Sequence, residues 1–440
     1  MSKLQQVLLK ISDERLFDYV CEQLSGFLGL EAKTILRSKF LENKQRSVRA
    51  ALKDLSVRWV EFPEWAADLA PEGKMLVLES QESNWRQIDW IEQIFLLLNG
   101  ILERRHEEEQ GPIHSYSIRM KGVDSRLWEY AWVNRMALFI RRNVARENHR
   151  NEIELFGDLP QQQLVMTHDL DAVQKTTSIA LKQSAFNLFK GLKALSRADT
   201  RVFGESVHAA SRFLLSRDSY NGLNQMIEAE RLCIPKPIIH IFSRSSADRR
   251  GVKSWLFDPA YRLQDLQYLG ILDSLQKSGW RLGLHPSFDS WNSVQDILSQ
   301  KQDLEQILDC KVAYCRQHWL RFSWTDTWRA QEAAGLQEDS SLGFNDRMGF
   351  RNSAAIRFQP WDFERAGPLS LYSSPLAVMD SHIHDYSIGQ ASTAIHRMKN
   401  ILTEARKTAA HANFLWHPHT LGGDYGWANS YHEVLGDLSD

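Results

Sequence analysis

The chain has 440 residues, enough for two or three domains and a large buried core. With 43% hydrophobic and 25% charged residues and a formal net charge of −2, it is not a strongly basic, nucleic-acid-binding protein. The longest compact apolar run, 94–98, is too short to span a bilayer, and the amphipathic N-terminus does not resemble a secretory signal. We therefore expect a cytoplasmic protein without a transmembrane segment, whose four cysteines are reduced thiols.

Residues 1–158 contain no catalytic constellation, and we expect them to form an accessory domain, either α/β or mostly helical. Apolar periodicity predicts helices over 3–40, 85–105 and 127–146 and a strand over 74–79. The sequence does not reveal what this region does.

Two polar stretches lie in and after this region. The charge run 103–109 predicts a solvated helix end or loop. The polar stretch 148–160, which contains Gly157 and Pro160, predicts a domain boundary, so the second domain is expected to cover 159–440.

From residue 159 onwards, apolar runs alternate with helical patterns, which predicts parallel β/α units. Strands are expected at 163–172, 237–242, 280–284 and 311–315, and later strands are expected to end near Asp339, Asp380 and His417. Such a series forms either an open sheet or a barrel.

A helical insertion is expected at about 175–230, between the first two of these strands. One face of its first helix is apolar, formed by Leu181, Ala185, Phe186, Phe189 and Leu192. Lysine and arginine side chains occupy the rest of the surface. A basic amphipathic helix of this kind packs on the protein's own core or lies on a membrane surface, and we expect the first.

Polar residues follow the predicted strands repeatedly: Asp169, Asp171, His285, Arg316, His318, Asp380, His417 and His419. In a β/α barrel these positions converge on one rim. One Asp with two His is a common ligand set for Zn²⁺, and a second carboxylate can then take a proton from water. Taken one at a time, the same residues also suit polar turns and hydrogen-bonded structural histidines.

The order of these pieces resembles the polysaccharide deacetylases of the NodB-homology group, also called carbohydrate esterase family 4. The family's Thr-Phe-Asp-Asp motif corresponds to Thr167-His-Asp-Leu-Asp171, with the spacing of a branch that includes peptidoglycan deacetylases. Its His-Ser-x-x-His motif corresponds to His285-Pro-Ser-Phe-Asp289, where the second histidine is missing. Its Arg-x-Pro-aromatic motif corresponds to Arg316-Gln-His-Trp319, and its final histidine motif to Phe414-Leu-Trp-His417.

The resemblance implies a role for each matching residue. Asp169 would be the general base, and Asp171 and His285 would bind the metal. The third ligand would be His318, which stands where the family has proline, or Asp289, which stands where it has histidine.

It also implies the remaining parts of a site. Arg316 would orient the base, and His417 would be the general acid. Asp380 either tunes His417 through a hydrogen bond or is a structural carboxylate at a strand end. The residues expected to contact substrate are Trp319, Trp416 and His419.

By resemblance, the fold is a distorted (β/α)₇ barrel with an additional N-terminal domain, as in a subgroup often met in bacterial surface-polysaccharide clusters. The implied activity is metal-dependent removal of an acetyl group from an N-acetylated sugar, with Zn²⁺, Co²⁺ or Ni²⁺ as cofactor. A cytoplasmic location favours a nucleotide-linked or lipid-linked sugar as substrate.

The alternative is a catalytically inactive barrel that binds glycan or a protein partner, which the altered second motif favours. The oligomeric state does not follow from the sequence.

Overall fold

A computed structural model describes residues 2–29, 32–42, 48–81, 83–196, 198–218, 220–243, 252–259, 261, 263, 269–386 and 391–439. Within these residues, no helix is long and apolar enough to cross a membrane.

The N-terminal 158 residues consist of helices around a two-stranded antiparallel hairpin. The strand predicted over 74–79 is confirmed as β2 (Lys74–Glu79), which pairs with β1 (Ser56–Glu61). The described helices are α1 (Lys3–Lys10), α2 (Asp13–Gln23), α3 (Ser25–Leu28), α4 (Lys33–Arg37), α5 (Trp90–Leu98), α6 (Ile101–Gln110), α7 (Trp132–Glu147) and α8 (Glu152–Phe156).

The helix predicted over 85–105 is in fact broken between α5 and α6. At the break, Gly100 has a φ of 60°, and a Cβ added there would lie 2.2 Å from a ring carbon of Trp324. Both the left-handed backbone and the close ring require glycine. The apolar period continues across the break, so periodicity alone predicted a single helix.

The second half of the chain builds a parallel sheet that is wrapped into a barrel. Its strands are β3 (Gln163–Leu170), β4 (Ile238–Phe242), β5 (Arg281–His285), β6 (Tyr314–Cys315), β7 (Glu338–Asp339), β10 (Tyr372–Ser373), β11 (Leu376–Met379) and β12 (His411–Leu415). A separate antiparallel pair consists of β8 (Trp361–Asp362) and β9 (Gly367–Pro368). The order across the large sheet is β10-β7-β6-β5-β4-β3-β12-β11, and all neighbours are parallel.

Strands β10 and β11 are two parts of one strand, separated only by Ser374 and Pro375. The first part pairs with β7 and the second with β12. At the joint, the Ser374 amide donates to the Asp339 carbonyl and the Asn413 amide donates to the Pro375 carbonyl, each at 2.8 Å. Hydrogen bonding therefore continues on both sides, and this segment closes a barrel of seven strands. The predicted distorted (β/α)₇ barrel is confirmed.

Helices cover the outside of the barrel, so its strands are buried on both faces. All five residues of β4 and all four of β11 are buried. The described helices of this half are α9 (Thr177–Leu195), α10 (Thr200–Leu215), α11 (Gly222–Ala229), α12 (Val252–Phe257), α13 (Leu269–Lys277), α14 (Val294–Leu308), α15 (Thr327–Ala333), α16 (Asp380–His384), α17 (Ala391–Lys407) and α18 (Ala428–Ser439).

The region predicted as a helical insertion contains α9, α10 and α11, between β3 and β4. One expectation for it is wrong. Leu181, Phe186, Phe189 and Leu192 do not pack on the core, because they are 44–66% exposed. Periodicity identifies which side chains share a face of a helix, but not what that face contacts.

The N-terminal region and the barrel share one continuous hydrophobic core. The charge run 103–109 takes part in this contact, so the expectation that it is solvated is wrong for its first residues. Glu103 is buried and accepts hydrogen bonds from Arg351 of the barrel. The buried Arg104 guanidinium lies 5.2 Å from the ring centroid of Trp324. The domain boundary near residue 158 stays a prediction.

A buried ion pair joins Arg135 of α7 to Glu404 of α17. The Arg135 Nε and Nη2 atoms donate to both carboxylate oxygens at 2.7 and 2.5 Å, and Nη1 donates to the Leu69 carbonyl at 2.7 Å. Glu404→Ala leaves this cation buried and unpaired, so we expect it to lower the free energy of unfolding by about 3 kcal/mol in denaturant titrations. The control Glu433→Ala removes an exposed pair with Lys399 and should cost less than about 1 kcal/mol. If both variants lost the same free energy of unfolding, the buried pair would contribute no more to stability than the exposed pair.

Candidate metal and catalytic site

The polar residues predicted at the strand ends meet at the carboxyl-terminal rim of the barrel. Parallel strands bring their carboxyl ends to the same side, and the short segments after β3, β5, β6, β11 and β12 therefore converge. The residues brought together are Asp169, Asp171, His285, Arg316, His318, Asp380 and His417.

Asp171, His285 and His318 have the arrangement of metal ligands. One ligand atom from each lies within 4.8 Å of the others. The Nε2 atoms of His285 and His318 lie 3.3 and 3.7 Å from Asp171 Oδ1. Among the residues that the structure describes, this buried carboxylate oxygen has no hydrogen-bond partner, although a buried polar atom normally has one. An unsatisfied carboxylate oxygen facing two imidazole nitrogens fits a divalent cation such as Zn²⁺.

The other ring nitrogens of both histidines contact hydrogen-bond acceptors. His285 Nδ1 lies 2.7 Å from the Arg316 carbonyl oxygen, and His318 Nδ1 lies 3.3 Å from Asp258 Oδ1. These contacts favour a proton on Nδ1, which leaves the Nε2 lone pair free toward Asp171. The same pattern of outer partners orients histidine ligands in metal sites.

Asp289, the competing candidate for third ligand, lies apart from this cluster. Its side chain is 52% exposed and faces Arg321 Nη1 at 3.1 Å and Lys253 Nζ at 3.5 Å. Of the two candidates, His318 is the one that the structure brings to Asp171 and His285.

Asp169 is buried among basic groups. Arg316 Nη1 donates to its Oδ1 atom at 3.1 Å, and His240 Nδ1 lies 3.1 Å from the same oxygen. Its Oδ2 atom lies 3.9 Å from His285 Nε2. Burial by itself raises the pKa of Asp169, but the charge of Arg316 and the hydrogen bond with His240 hold this pKa well below its usual range. The carboxylate is therefore ionised and fixed in position at neutral pH.

His417 and Asp380 form a second pair at the rim. His417 Nδ1 lies 2.9 Å from Asp380 Oδ1, and the His417 amide donates to Asp380 Oδ2 at 2.9 Å. The Nε2 atom faces Asp171 Oδ2 at 3.5 Å. Burial disfavours the imidazolium, but the negative charge of Asp380, to which Asp171 adds, raises the pKa of His417 to about 10. Asp380 thus contacts the imidazole directly, as tuning of His417 through a hydrogen bond requires, and its role stays a prediction.

The chain turns sharply just after His318. Trp319 and Leu320 have φ values of 57° and 48°, a left-handed conformation that is costly for residues other than glycine. Two side chains hold the turn, because Ser115 Oγ and Asn345 Nδ2 donate to the Trp319 carbonyl oxygen at 3.0 and 2.8 Å. Ser115 belongs to the N-terminal region, so this region helps to place His318.

The three residues expected to contact substrate have different surroundings. Trp319 is 40% exposed, and its ring centroid is 6.3 Å from that of His318, so its indole can meet a ligand at the rim. Trp416 is only 1% exposed and packs on Tyr431, so the expectation that it contacts substrate is wrong. His419 is buried beside His417, and burial together with the His417 charge lowers its pKa to about 4. A substrate contact for His419 stays a prediction.

Two residues of the site were not identified from the sequence. His240, in the middle of β4, lies between Asp169 and Ser340, whose Oγ is 3.3 Å from His240 Nε2. Burial and the nearby Arg316 lower the pKa of His240 to about 4, so it is neutral at pH 7. Its only sequence signal is a polar residue within an apolar strand. Asp258 follows α12 and is far in sequence from the residue it supports, His318.

Comparisons with known proteins concern the fold. No family model matches the chain, and no curated protein matches it. A search of solved structures matched a candidate polysaccharide deacetylase from Mycobacterium smegmatis, with 12% identity, 63% of this chain and 84% of that chain covered, and a TM-score of 0.36. It also matched a CE4 family pseudoenzyme from Bacillus anthracis, with 8% identity, 63% and 61% coverage and a TM-score of 0.25.

A third match is Agd3, described as a novel carbohydrate deacetylase. It is 12% identical, with 70% of this chain and 54% of that chain covered and a TM-score of 0.33. One of these solved structures is thus described as a candidate polysaccharide deacetylase and another as a pseudoenzyme of the CE4 family.

Proposed function

We propose that this chain is a metal-dependent hydrolase that removes the acetyl group from an N-acetylated sugar in bacterial surface-polysaccharide metabolism. One arrangement carries the proposal. The ligand atoms of Asp171, His285 and His318 lie within 4.8 Å of one another, beside a buried Asp169 that Arg316 holds by a hydrogen bond. A structural role alone does not require a second, ionised carboxylate next to such a cluster.

Asp171, His285 and His318 would hold the metal ion, for which Zn²⁺ best matches two imidazoles and a carboxylate, although Co²⁺ and Ni²⁺ suit the same donors. When bound, such an ion polarises a carbonyl oxygen and lowers the pKa of water.

The other residues supply the proton transfers of amide hydrolysis. Asp169 accepts a proton from the attacking water, and Arg316 keeps the carboxylate oriented toward it. When the C–N bond breaks, His417 donates a proton to the departing nitrogen, because an unprotonated amide nitrogen is a poor leaving group. Asp380 occupies the Nδ1 side of His417, so the proton leaves from Nε2. The products are acetate and a free amino sugar.

The substrate class that we propose is a nucleotide-linked or lipid-linked N-acetylated sugar. The cytoplasmic location, from which this choice follows, stays a prediction of the sequence. The exposed indole of Trp319 beside His318 offers an apolar surface on which a sugar ring can pack.

A second candidate function is a catalytically inactive barrel that binds glycan or a protein partner. The observation that favours it is Asp289, which stands where the family motif has its second histidine and which lies outside the ligand cluster. A pure binding module, however, has no need for a general base and a general acid on the same rim.

Metal analysis and acetate release separate these two functions. The purified protein is assayed by elemental analysis and then for acetate released from N-acetylated sugars and nucleotide sugars. The deacetylase predicts about one divalent metal ion per chain, the number that three ligands can hold, and acetate release that a chelator abolishes. A chain that binds metal but releases no acetate from any compound, or one that stays metal-free after reconstitution, supports the binding protein instead.

Asp380→Asn tests the second pair. The amide cannot stabilise the imidazolium of His417, so kcat is expected to fall by about 10- to 100-fold while metal content is unchanged. Asp273→Asn, an exposed substitution on α13, is the control and should leave kcat unchanged. A normal kcat in Asp380→Asn would show that Asp380 has only a structural role.

A further inference from the structure

Helix α9 buries its small residues and exposes its large apolar ones. The buried positions are Ala180, Ser184, Gly191 and Ala194. They face α10 so closely that a Cβ at Gly191 would lie 3.1 Å from Ser206 Cβ, and Ser184 Oγ donates to the Ala210 carbonyl at 2.9 Å. Small side chains are therefore the buried ones of α9, and they contact α10.

Five of the exposed apolar residues of α9, but not Phe186, form one continuous stripe: Leu181, Leu188, Phe189, Leu192 and Leu195. At about 100° per residue, these positions fall on the same side of the helix. Lys182 and Lys193 lie together along one edge of the stripe. This is the pattern of a helix that lies in the interface of a membrane, with a basic border beside an apolar face.

A second helix extends this stripe. Lys182 Nζ donates to the carbonyls of Trp255 and Leu256 in α12, at 2.6 and 2.9 Å, and lies 4.8 Å from the centroid of the Trp255 ring. Both α12 side chains are exposed. We call the exposed side chains of these two helices the apolar face; its members are Leu181, Leu188, Phe189, Leu192, Leu195, Trp255 and Leu256.

The segment that carries the apolar face is strongly basic. Residues 175–217 contain eight lysines and arginines but two acidic residues, a formal charge of +6, whereas the whole chain has a net charge of −2. Clustered basic residues beside an apolar helix face are attracted to anionic lipid headgroups. A tryptophan at the edge of such a face, as Trp255 is here, suits the boundary between headgroups and acyl chains.

We propose that the apolar face docks on the surface of a bilayer that contains anionic phospholipids. The 19 residues of α9 lie flat on the bilayer, its apolar stripe enters the headgroup boundary, and the exposed Lys193 contacts lipid phosphates. The docking does not depend on the proposed catalysis, and it can be measured without a substrate.

The test is flotation of the full chain with vesicles of phosphatidylcholine alone and with vesicles that also contain phosphatidylglycerol. We expect the protein to float with the anionic vesicles and to be released by high salt. The double variant Phe189→Ser with Leu192→Ser should reduce the bound fraction by about 20-fold, because it removes two apolar anchors. Ile118→Ser with Leu232→Ser changes two residues elsewhere that are more exposed still, and this control should float like the unchanged protein.

Charge and self-association are tested separately. Lys193→Glu should weaken binding to anionic vesicles about fivefold or more, whereas Lys121→Glu, an exposed control outside the hairpin, should not. The proposal is overturned if the unchanged protein does not float with anionic vesicles, or if the double variant floats equally well. It is also overturned if light scattering shows that the double variant dissociates an oligomer while vesicle binding is unchanged, because the face would then bind a second copy of the chain.

Discussion

Asp169→Asn is expected to bind metal as the unchanged protein does and to lose about 10³-fold in kcat, within the range for removal of a general base. The asparagine side chain has the same shape and can still accept a hydrogen bond from Arg316, but it cannot take a proton from water. We expect intact metal binding because Asp169 is not one of the three residues whose ligand atoms form the cluster, which are Asp171, His285 and His318.

Turnover and metal content must be measured on the same preparation of Asp169→Asn. Asp171→Ala is the companion variant, because we expect it to lose both metal and turnover. If Asp169→Asn kept a kcat within tenfold of normal, another group would be the base. If it lost the metal, its role would be that of a ligand.

His318→Ala is expected to weaken metal binding by more than about 100-fold, beyond the usual cost of losing an outer partner of a ligand. Asp289→Ala should leave metal affinity unchanged, because Asp289 is exposed and pairs with Arg321 and Lys253. Isothermal titration of the metal-free protein with Zn²⁺ measures both. The opposite result, with affinity lost in Asp289→Ala and kept in His318→Ala, would exchange the two assignments.

Asp258→Asn gives an intermediate test of the same cluster. The Asp258 carboxylate contacts His318 Nδ1 at 3.3 Å and also accepts a hydrogen bond from the Phe288 amide at 2.7 Å. Replacement by asparagine weakens the orientation of His318 but leaves the ligand in place, so the loss in affinity should lie between those of Asp289→Ala and His318→Ala.

The residues that could be predicted from the sequence were those next to a recognisable strand. Asp169, Asp171, His285 and His417 each end or directly follow an apolar run, and the rule that strand ends converge on one rim placed them together.

The residues that escaped prediction depend on contacts between distant segments. Asp258, just after α12, contacts His318, which comes 60 residues later in the chain. A contact between residues so far apart in sequence leaves no periodic pattern from which it could be predicted. Trp416 adjoins His417 in sequence, yet successive residues of an extended segment point to opposite sides, so it is buried in the core. The apolar stripe of α9 was visible in the sequence. Its exposure was not, because α9 packs on α10 through its small residues and the stripe lies elsewhere on the helix.

The hydrogen bonds from Ser115 and Asn345 to the Trp319 carbonyl have a consequence for how the chain can be divided. The turn that they hold comes directly after His318, so one support of the candidate metal ligand is supplied by a residue more than 200 positions away. A fragment that begins at residue 159 would contain every barrel strand and all three candidate ligands, yet it would lack Ser115 and more than half of the residues of the continuous core. A gene fusion or truncation that separates the N-terminal region from the barrel would therefore remove one support of the candidate ligand His318 and divide a continuous hydrophobic core.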